Sequence, residues 1–103
     1  IARKDATVLV ALKTDAIVGV GMVTNEGEVL LNYVSPDTRF GGVSRALLRA
    51  LEDRSRERGA TPCRLESTET ARRFYCSNGY VETGGETAKF GARPAYRMTK
   101  SLD

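Results

Sequence analysis

Residues 33–48 read YVSPDTRFGGVSRALL, and they decide the fold that the sequence predicts. The pattern is that of a strand end, a Pro-Asp turn, two consecutive glycines and the first turns of an amphipathic helix. Glycines at such a junction expose backbone N–H groups that no side chain blocks, and the start of a helix adds partial positive charge. The stretch therefore predicts an anion site, suited to a phosphate group.

The two common phosphate loops do not describe this stretch. The Walker loop requires Gly-x4-Gly-Lys-Ser/Thr and the dinucleotide loop requires Gly-x-Gly-x-x-Gly, and the sequence RFGGVS matches neither. It fits the pattern Arg-x-x-Gly-x-Gly/Ala at Arg39 and Gly42, with Ser44 in the last position, where a hydroxyl can itself donate to a phosphate oxygen. A tight turn at Gly41-Gly42 explains the same residues, so both interpretations stay open on this motif alone.

Composition limits the chemistry that this chain can perform. The 103 residues, 41% of them hydrophobic and 28% charged, predict one globular domain. Without a signal peptide or an apolar run of membrane-spanning length, we expect a cytoplasmic protein with no membrane partner. The chain has no histidine, which excludes Ser-His-Asp and Cys-His nucleophiles and histidine-bound zinc, and we expect no metal. Cys63 and Cys76 lack Cys-x-x-Cys spacing, and free thiols are favoured over a disulfide.

Arginine dominates the basic residues. Of the sixteen basic residues twelve are arginine, and the net charge is only +3. Several arginines lie in residues 49–58, RALEDRSRER, where charges of alternating sign are typical of a solvated helix face. A nucleic-acid-binding surface is the alternative, and we expect no nucleic-acid partner.

The N-terminal part of the chain predicts an antiparallel meander. Its strands are expected at residues 7–12, 16–24 and 28–34, with turns at 13–15 and 25–27. Gly19 and Gly21 inside the second strand predict a bulge or a close backbone contact. The first strand becomes a sheet edge to which a second copy could pair, and we expect a homodimer or a longer parent chain.

The remainder predicts two helices and three strands. Residues 43–58 form the first helix because Ala46, Leu47, Ala50 and Leu51 recur at helical spacing, and Gly59 ends it. Residues 62–66 then form a strand parallel to 28–34. Ser67 is expected to cap a second helix that Asn78-Gly79 ends, with Glu69 near its positive end. Final strands at 80–84 and about 93–101 enclose a glycine-rich loop, 84–91.

The predicted order, βββ-α-β-α-ββ with a mixed sheet, is an α/β fold in a single domain over residues 1–103. It resembles the C-terminal part of the GNAT (GCN5-related N-acetyltransferase) superfamily, whose pyrophosphate loop has the Arg-x-x-Gly-x-Gly/Ala pattern. Residues 67–80, STETARRFYCSNGY, are similar to the family's Asn-x-x-Ala-x-x-Phe-Tyr-x-x-x-Gly-Phe helix, with Thr68 in place of the usual Asn. Residues 90–100, FGARPAYRMTK, resemble a common tail of the family. The resemblance covers nearly the whole chain.

The resemblance implies an acyltransferase. It would move an acetyl group from acetyl-CoA, as cosubstrate, to a primary amine of a small molecule or a protein, by direct transfer in a ternary complex. A non-catalytic acyl-CoA-binding module is the alternative. Family members begin with a strand and two helices that wall off the acceptor site, and about forty to sixty such residues are expected ahead of Ile1. The acceptor amine itself cannot be named from these residues.

The resemblance also implies where the cofactor lies. The pantetheine arm would occupy a gap between residues 33–34 and 63–67, with the backbone N–H of Asn32 as donor to the thioester oxygen. Arg39, Gly41, Gly42, Val43 and Ser44 would hold the pyrophosphate. The full set implied to contact the cofactor is Tyr33, Val34, Arg39, Phe40, Gly41, Gly42, Val43, Ser44, Thr68 and Phe74.

Two further side chains are implied in catalysis. Tyr75 matches the family tyrosine that protonates the departing thiolate, which is feasible for a phenol of pKa about 10 and a thiol of pKa about 8.5. A core aromatic explains Tyr75 in any fold, however. Glu28 stands eleven residues before Arg39, the register of a base glutamate in some members, and a solvated carboxylate at a strand start is the alternative.

Overall fold

The computed structural model describes residues 5–36, 42–90 and 93–102. Its elements follow the predicted order βββ-α-β-α-ββ. They are β1 (Ala6–Lys13), β2 (Ala16–Thr24), β3 (Glu28–Val34), α1 (Val43–Glu57), β4 (Cys63–Thr68), α2 (Arg72–Ser77), β5 (Val81–Phe90) and β6 (Arg93–Lys100). The strands form one sheet in the order β1-β2-β3-β4-β6-β5. Among these described strands only the β3–β4 pair is parallel, so the predicted mixed sheet is confirmed.

The meander follows from its turns. Thr14 and Asp15 join β1 to β2 with φ values of 50° and 67°, the left-handed conformation that a two-residue hairpin turn requires. Between β2 and β3, the hydroxyl of Thr24 accepts hydrogen bonds from the backbone N–H groups of Glu26 (3.3 Å) and Glu28 (3.0 Å). Local side chains thus set the start of β3.

The first helix packs closely on the middle of β2. A Cβ added to Gly21 would stand 2.8 Å from Cδ1 of Leu51, and one added to Gly19 would stand 3.3 Å from Cδ2 of Leu47. The two glycines therefore let the helix approach the sheet, and the predicted close contact is confirmed. β2 also has the bulge that these glycines predicted: its extra residue is Val18, next to Gly19, where the pairing with β1 shifts register.

Both helices lie on the same face of the sheet. Leu48 and Leu51 of α1, and the partly buried Phe74 and Tyr75 of α2, pack on one core cluster that includes Leu65. We call this the helix face. In the part of the chain that the structure describes, no helix lies on the opposite face, which we call the open face.

The strand pairing assigns side chains to the two faces. Asn32 is opposite Gly21, which contacts Leu51, so its side chain points to the helix face. Arg64 and Glu66 flank the core residue Leu65 and therefore point to the open face. Glu28 is opposite Arg64, and Arg97 is opposite Glu66, which adds them to the open face.

The prediction that Ser67 caps the second helix is wrong. Ser67 is buried within β4, opposite Tyr96 of β6, and the strand continues to Thr68. The helix begins only at Arg72, and the hydroxyl of Thr68 accepts a hydrogen bond from the Ala71 N–H at 3.3 Å. The backbone hydrogen bonds to β6 thus outweigh the local capping preference of serine. The neighbouring Thr68, rather than Ser67, accepts the hydrogen bond from the backbone just before the helix.

The predicted loop at residues 84–91 is also wrong over its described part. β5 continues to Phe90 in antiparallel pairing with β6, with register irregularities between Glu82 and Glu86 and between Glu86 and Ala88. Glycines in a strand interior mark such irregularities. Pairing with β6 therefore keeps this segment in a strand, although its glycines by themselves predict a loop.

Two expectations from composition concern the cysteines and membrane spans. Cys63 is buried and Cys76 is exposed, and both are free thiols. None of the helices in the described ranges combines the length and the apolar character that crossing a membrane would need.

Candidate active site

The site forms where β3 and β4 separate. Their parallel ladder has only two pairs, Glu28 with Arg64 and Val29 with Leu65. Beyond Leu65, β4 stays paired with β6 as far as Thr68, while β3 stays paired with β2 as far as Val34. A gap therefore opens between residues 30–34 and 66–68. The predicted gap began at Cys63, which is wrong, because Cys63 is buried in the core beside the paired part of the strands.

A bulge in β3 decides which backbone groups face this gap. The β2–β3 register shifts between Met22 and Val23, so that Leu30 is the extra residue. The Ser35 N–H donates to the carbonyl of Val18 at 2.8 Å. Because bonded and non-bonded pairs alternate in an antiparallel ladder, the N–H and C=O of Asn32 and Val34 point away from β2 and into the gap.

A large cleft connects the gap to the start of α1. Its volume is about 830 Å³. The lining residues come from β3, the first turn of α1 and the segment around α2: Asn32, Tyr33, Val34, Ser44, Thr70, Ala71, Phe74 and Tyr75. Five of the residues predicted to serve catalysis or the cofactor, besides Asn32, therefore line one continuous space.

A smaller cleft of about 220 Å³ lies in the gap itself. It shares Asn32, Ala71 and Tyr75 with the large cleft and reaches Thr68 and Glu66 on β4. The two clefts therefore meet at Asn32 and Tyr75.

The start of α1 is suited to an anion. Gly42 is the N-cap with φ 82°, a left-handed conformation that glycine adopts without strain, and no side chain of a described residue caps the helix. The first helical hydrogen bond runs from the Ala46 N–H to the Gly42 carbonyl at 3.1 Å, so the N–H groups of Val43, Ser44 and Arg45 precede the helical ladder. The first turn contains no acidic residue. The other predicted members of this loop, Arg39, Phe40 and Gly41, lie outside the described residues.

Tyr75 is held by aromatic contacts. Its ring stands edge-on to Phe74 at 5.2 Å and to Tyr80 at 5.7 Å between centroids. Burial raises the pKa of Tyr75, and hydrogen bonding to the Asn32 side chain lowers it by a smaller amount. The phenol is therefore protonated at neutral pH, as a proton donor must be.

The side chain of Asn32 adds a polar group that the sequence prediction missed. Its Oδ1 atom is buried and has no hydrogen-bond partner among the described residues. A buried polar atom without a partner costs about 1–3 kcal/mol, so this amide fits a ligand that supplies the missing bond. Its signal in the sequence was an amide inside the otherwise apolar run LLNYV.

Tyr80 is anchored by a buried polar network that was also missed. Its hydroxyl donates to Oε2 of Glu52 at 2.9 Å, and Nζ of Lys100 donates to Oε1 of the same carboxylate at 3.1 Å. Burial raises the pKa of Tyr80, and the nearby Glu52 carboxylate raises it further. The signal was Glu52 itself, four residues after Leu48 on the apolar face of α1.

Glu28 does not line either of these clefts. It lines a cavity of about 270 Å³ on the open face, together with Arg64, Leu65, Glu66 and Arg97. That cavity shares Leu65 and Glu66 with the small cleft in the gap. The predicted catalytic set therefore divides, with Tyr75 and Asn32 on the helix face and Glu28 on the open face.

Comparison with known proteins agrees with this fold. Residues 1–102 match the family model described as an acetyltransferase (GNAT) domain. A protein of Azospirillum brasilense named "IAA acetyltransferase" is 30% identical in an alignment of 92 residues, and the match covers 82% of this chain and 60% of that protein.

Solved structures superpose well on the chain. A GCN5-related N-acetyltransferase from Rhodopseudomonas palustris, also described as "Aminotransferase, Class-II", has a TM-score of 0.87 at 27% identity, covering 94% of this chain and 62% of its own. The PaiA N-acetyltransferase of Thermoplasma acidophilum, solved in complex with coenzyme A, has the same fold, with a TM-score of 0.81 at 22% identity over 95% of this chain and 62% of its own.

This chain thus spans about three-fifths of the length of these relatives. The family model nevertheless extends over residues 1–102. The element order, the separating β3 and β4 strands and the helix start at Gly42 all agree with that match. The chain belongs to the GNAT acetyltransferase family.

Proposed function

We propose that this chain is an N-acetyltransferase that moves the acetyl group of acetyl-CoA to a primary amine by direct transfer in a ternary complex. The observation that carries the proposal is the continuous cleft from Ser44, at the start of α1, to Tyr75 beside the gap between β3 and β4. Family membership supports acetyl transfer, and the coenzyme A complex of a protein with the same fold supports the cosubstrate.

The anion end of the cleft would hold the pyrophosphate of CoA. The N–H groups of Val43 and Ser44 precede the helical ladder, and the helix dipole adds partial positive charge there. Gly42 leaves this approach open, since an added Cβ would meet no described atom within 4 Å. On sequence grounds we include Arg39, Phe40 and Gly41 in the same site.

The pantetheine arm would lie along the unpaired side of β3. The backbone groups of Asn32 and Val34 point into this gap and can pair with amides of the arm. Phe74 and Tyr33 line the large cleft, and Thr68 lines the small one. The arm would thus extend the sheet at the place where β3 lacks a neighbour.

The proposed chemistry needs one proton donor and one proton acceptor. The amine nitrogen bonds to the acetyl carbon, the C–S bond breaks, the amine loses a proton and the sulfur gains one. Tyr75 would donate the proton to sulfur, because its buried phenol is protonated at neutral pH. The backbone N–H of Asn32 would stabilise the negative charge that develops on the thioester oxygen.

Glu28 remains our proposed base for the amine. It lies on the open face, in a cavity that adjoins the gap through Leu65 and Glu66, so it would accept the proton from the side opposite Tyr75. Replacement by glutamine should flatten the pH dependence of kcat/KM if this assignment holds. An unchanged profile would leave Glu28 as a solvated strand carboxylate.

The proposal is tested by a thermal titration followed by turnover. A ligand present at 100 times its Kd stabilises a protein by about 2.7 kcal/mol, so acetyl-CoA and CoA should raise Tm, and 3′-dephospho-CoA shows whether the ribose phosphate contributes. An amine panel with detection of free thiol then measures transfer. Binding without turnover on any amine would favour the acyl-CoA-binding module, and no binding would contradict both.

Gly42 offers a matched control for the binding test. Gly42 and Gly59 have φ values of 82° and 72°, and an added Cβ meets no described atom within 4 Å at either position. Gly42→Ala and Gly59→Ala should therefore cost similar stability, about 1 kcal/mol. Only the substitution at Gly42 should weaken binding of CoA.

Two expectations about assembly and location stay predictions. We propose a homodimer that pairs along β1, an outer strand of the described sheet, whose Val8, Val10 and Leu12 side chains are 42%, 50% and 63% exposed. A monomer by light scattering would contradict it. A cytoplasmic location likewise remains a prediction from the sequence.

The arginines of α1 support a solvated surface. Arg54 pairs with Glu57 at 3.1 Å and Arg56 with Asp53 at 2.7 Å, both on the exposed side of the helix. These charges are thus partly balanced within the helix. DNA titrations at several salt concentrations check the expectation that no nucleic acid binds. An affinity that is measurable at low salt and falls steeply as salt is added would contradict it.

A further inference from the structure

The open-face cavity contains both signs of charge. Glu28 and Glu66 contribute two carboxylates, Arg64 and Arg97 contribute two guanidinium groups, and Leu65, whose side chain points to the helix face, lines the cavity through its backbone. Its volume of about 270 Å³ is at the small end of ligand pockets. The space suits a ligand about as large as one amino acid.

The charges in this cavity do not neutralise one another. Glu28 is directly opposite Arg64 in the parallel ladder, and Glu66 is directly opposite Arg97 in the antiparallel one. Opposite charges in such positions normally interact. No nitrogen–oxygen distance within 4 Å joins any two of these four residues, all of which the structure describes.

Charged pairs elsewhere in the chain do form. Arg72 forms an ion pair with Glu82 across neighbouring elements, and Lys100 pairs with Glu52 at 3.1 Å. One nitrogen of Arg64 donates to the backbone carbonyl of Glu26 at 3.3 Å, which fixes the guanidinium at the cavity edge and leaves its other N–H groups free of the neighbouring carboxylates. The four charged groups therefore face the space between them.

This arrangement selects against simple ions. A plain amine would pair with the two carboxylates but meet the two guanidinium groups as like charges, and for a plain carboxylate the reverse holds, so neither ion complements all four groups. A ligand with an ammonium and a carboxylate on the same carbon complements both, because a guanidinium binds a carboxylate through paired hydrogen bonds and a glutamate accepts from an ammonium.

We propose that this cavity binds the acceptor and that the acceptor is a free amino acid. The proposal rests on the acetyl transfer proposed above and names its substrate class. Glu66 also lines the small cleft in the gap, so the ammonium end bound there is the end nearest the acetyl group. Arg97 and Arg64 hold the carboxylate away from the gap. Cosubstrate and acceptor thus enter from opposite faces of the sheet.

A matched set of acceptors tests this proposal. For each of several amino acids, kcat/KM is compared with that of the amine lacking the carboxylate, of the carboxamide and of a dipeptide with the same first residue, all at saturating acetyl-CoA. The amino acid should be preferred over the amine by about tenfold or more, since hydrogen bonds between charged groups are the strong ones. Equal rates would overturn the proposal and leave acetyl transfer intact, and preference for the dipeptide would overturn the free amino acid as acceptor.

Variants assign the preference to this cavity. Arg97→Gln should reduce the preference for the amino acid over the amine to near unity, through a loss of kcat/KM with the amino acid. Arg54→Gln, on the solvent side of α1, is the matched control and should keep the preference. Loss of the preference in both variants, or in neither, would contradict the assignment.

Binding measured without turnover separates the two proposals. Calorimetry with an amino acid and CoA should show binding that Glu66→Gln weakens about tenfold and that Glu57→Gln leaves unchanged. If no amine is acetylated but the amino acid binds with this dependence, acetyl transfer fails and the cavity assignment stands. If the amino acid neither binds nor reacts, the cavity assignment fails.

Discussion

The two faces of the sheet differ most where β3 and β4 separate. On the helix face, Tyr75 lies against two aromatic rings and its phenol is kept protonated by burial. On the open face, two carboxylates and two guanidinium groups surround a cavity without pairing. The same two strands therefore present a buried, neutral surface on one side and a charged surface on the other.

This difference shows how one gap can serve two reactants. A proton donor needs an apolar surrounding that keeps it neutral, whereas a charged acceptor needs groups that replace its hydration. Because side chains alternate along a strand, adjacent residues such as Leu65 and Glu66 belong to the two environments. We propose that the acetyl group lies at the boundary between them.

The largest expected effect comes from removing Tyr75, the proposed acid on the helix face. Tyr75→Phe should lower kcat by about 100-fold or more, because general acid catalysis contributes roughly 10²–10⁴-fold. The affinity for CoA should change little, since the ring and its aromatic contacts remain. Steady-state kinetics and a thermal titration measure the two quantities.

Tyr96→Phe is the control for this substitution. The Tyr96 ring lies under Arg72, at 4.0 Å from the guanidinium carbon, and does not line either cleft. It should leave kcat unchanged. Equal activity of Tyr75→Phe and the unmodified protein would remove the catalytic role and leave Tyr75 as a core aromatic.

The next effect concerns stability and compares one glutamate on each face. Glu52→Ala removes the acceptor of both Tyr80 and Lys100, and the buried phenol loses its partner, so the free energy of unfolding should fall by about 2–3 kcal/mol. Glu66→Ala on the open face should cost less than about 0.5 kcal/mol. Urea unfolding measures both, and equal losses would contradict the contrast between the faces.

A smaller effect of opposite sign is expected at the start of α1. Ser44→Asp places a carboxylate in the first turn, where the helix dipole stabilises it, so unfolding should cost about 0.3–1 kcal/mol more. The same charge repels a pyrophosphate, and the Kd of CoA should rise about tenfold. Ser44→Asn, which is similar in shape and uncharged, should show neither change to the same extent. If Ser44→Asp and Ser44→Asn raised the Kd of CoA equally, an anion site at the start of α1 would be contradicted.

The last effect appears only at alkaline pH and concerns the contribution of Tyr75 to stability. Its pKa is raised in the folded protein, so the unfolded chain loses the phenolic proton first as pH rises. Its stabilising contribution is therefore complete below pH about 10 and falls above it, by up to about 1.4 kcal/mol per pH unit. Tyr75→Phe should show a shallower loss of stability than the unmodified protein between pH 10 and 11. Identical slopes would contradict the raised pKa.

Much of the fold follows from local patterns. β2 and β3 have the predicted bounds, because apolar residues and turn-forming residues alternate sharply over 16–34. The helix from Val43 follows from its apolar spacing and from Gly42. Errors occurred where a neighbouring strand decides the outcome, as at Ser67 and in β5, both of which pair with β6.

The candidate site was likewise predicted only in part. The sequence motifs named Tyr75, Asn32 and Ser44, and the structure brings these three to one cleft. They did not indicate that the Asn32 amide is buried without a partner, or that Glu28 lies on the other face from Tyr75. Those facts depend on a bulge in β3 and on the early separation of β3 from β4.

By itself, the sequence determined the order of elements, the glycine before the start of α1 and the family resemblance, because each depends on residues close together along the chain. Only the tertiary structure decided which backbone groups of β3 face the gap and which charges share a cavity. The physical reason is that strand register is a relation between distant segments. A shift of one residue, such as the bulge at Leu30, moves every later group to the other side of the strand.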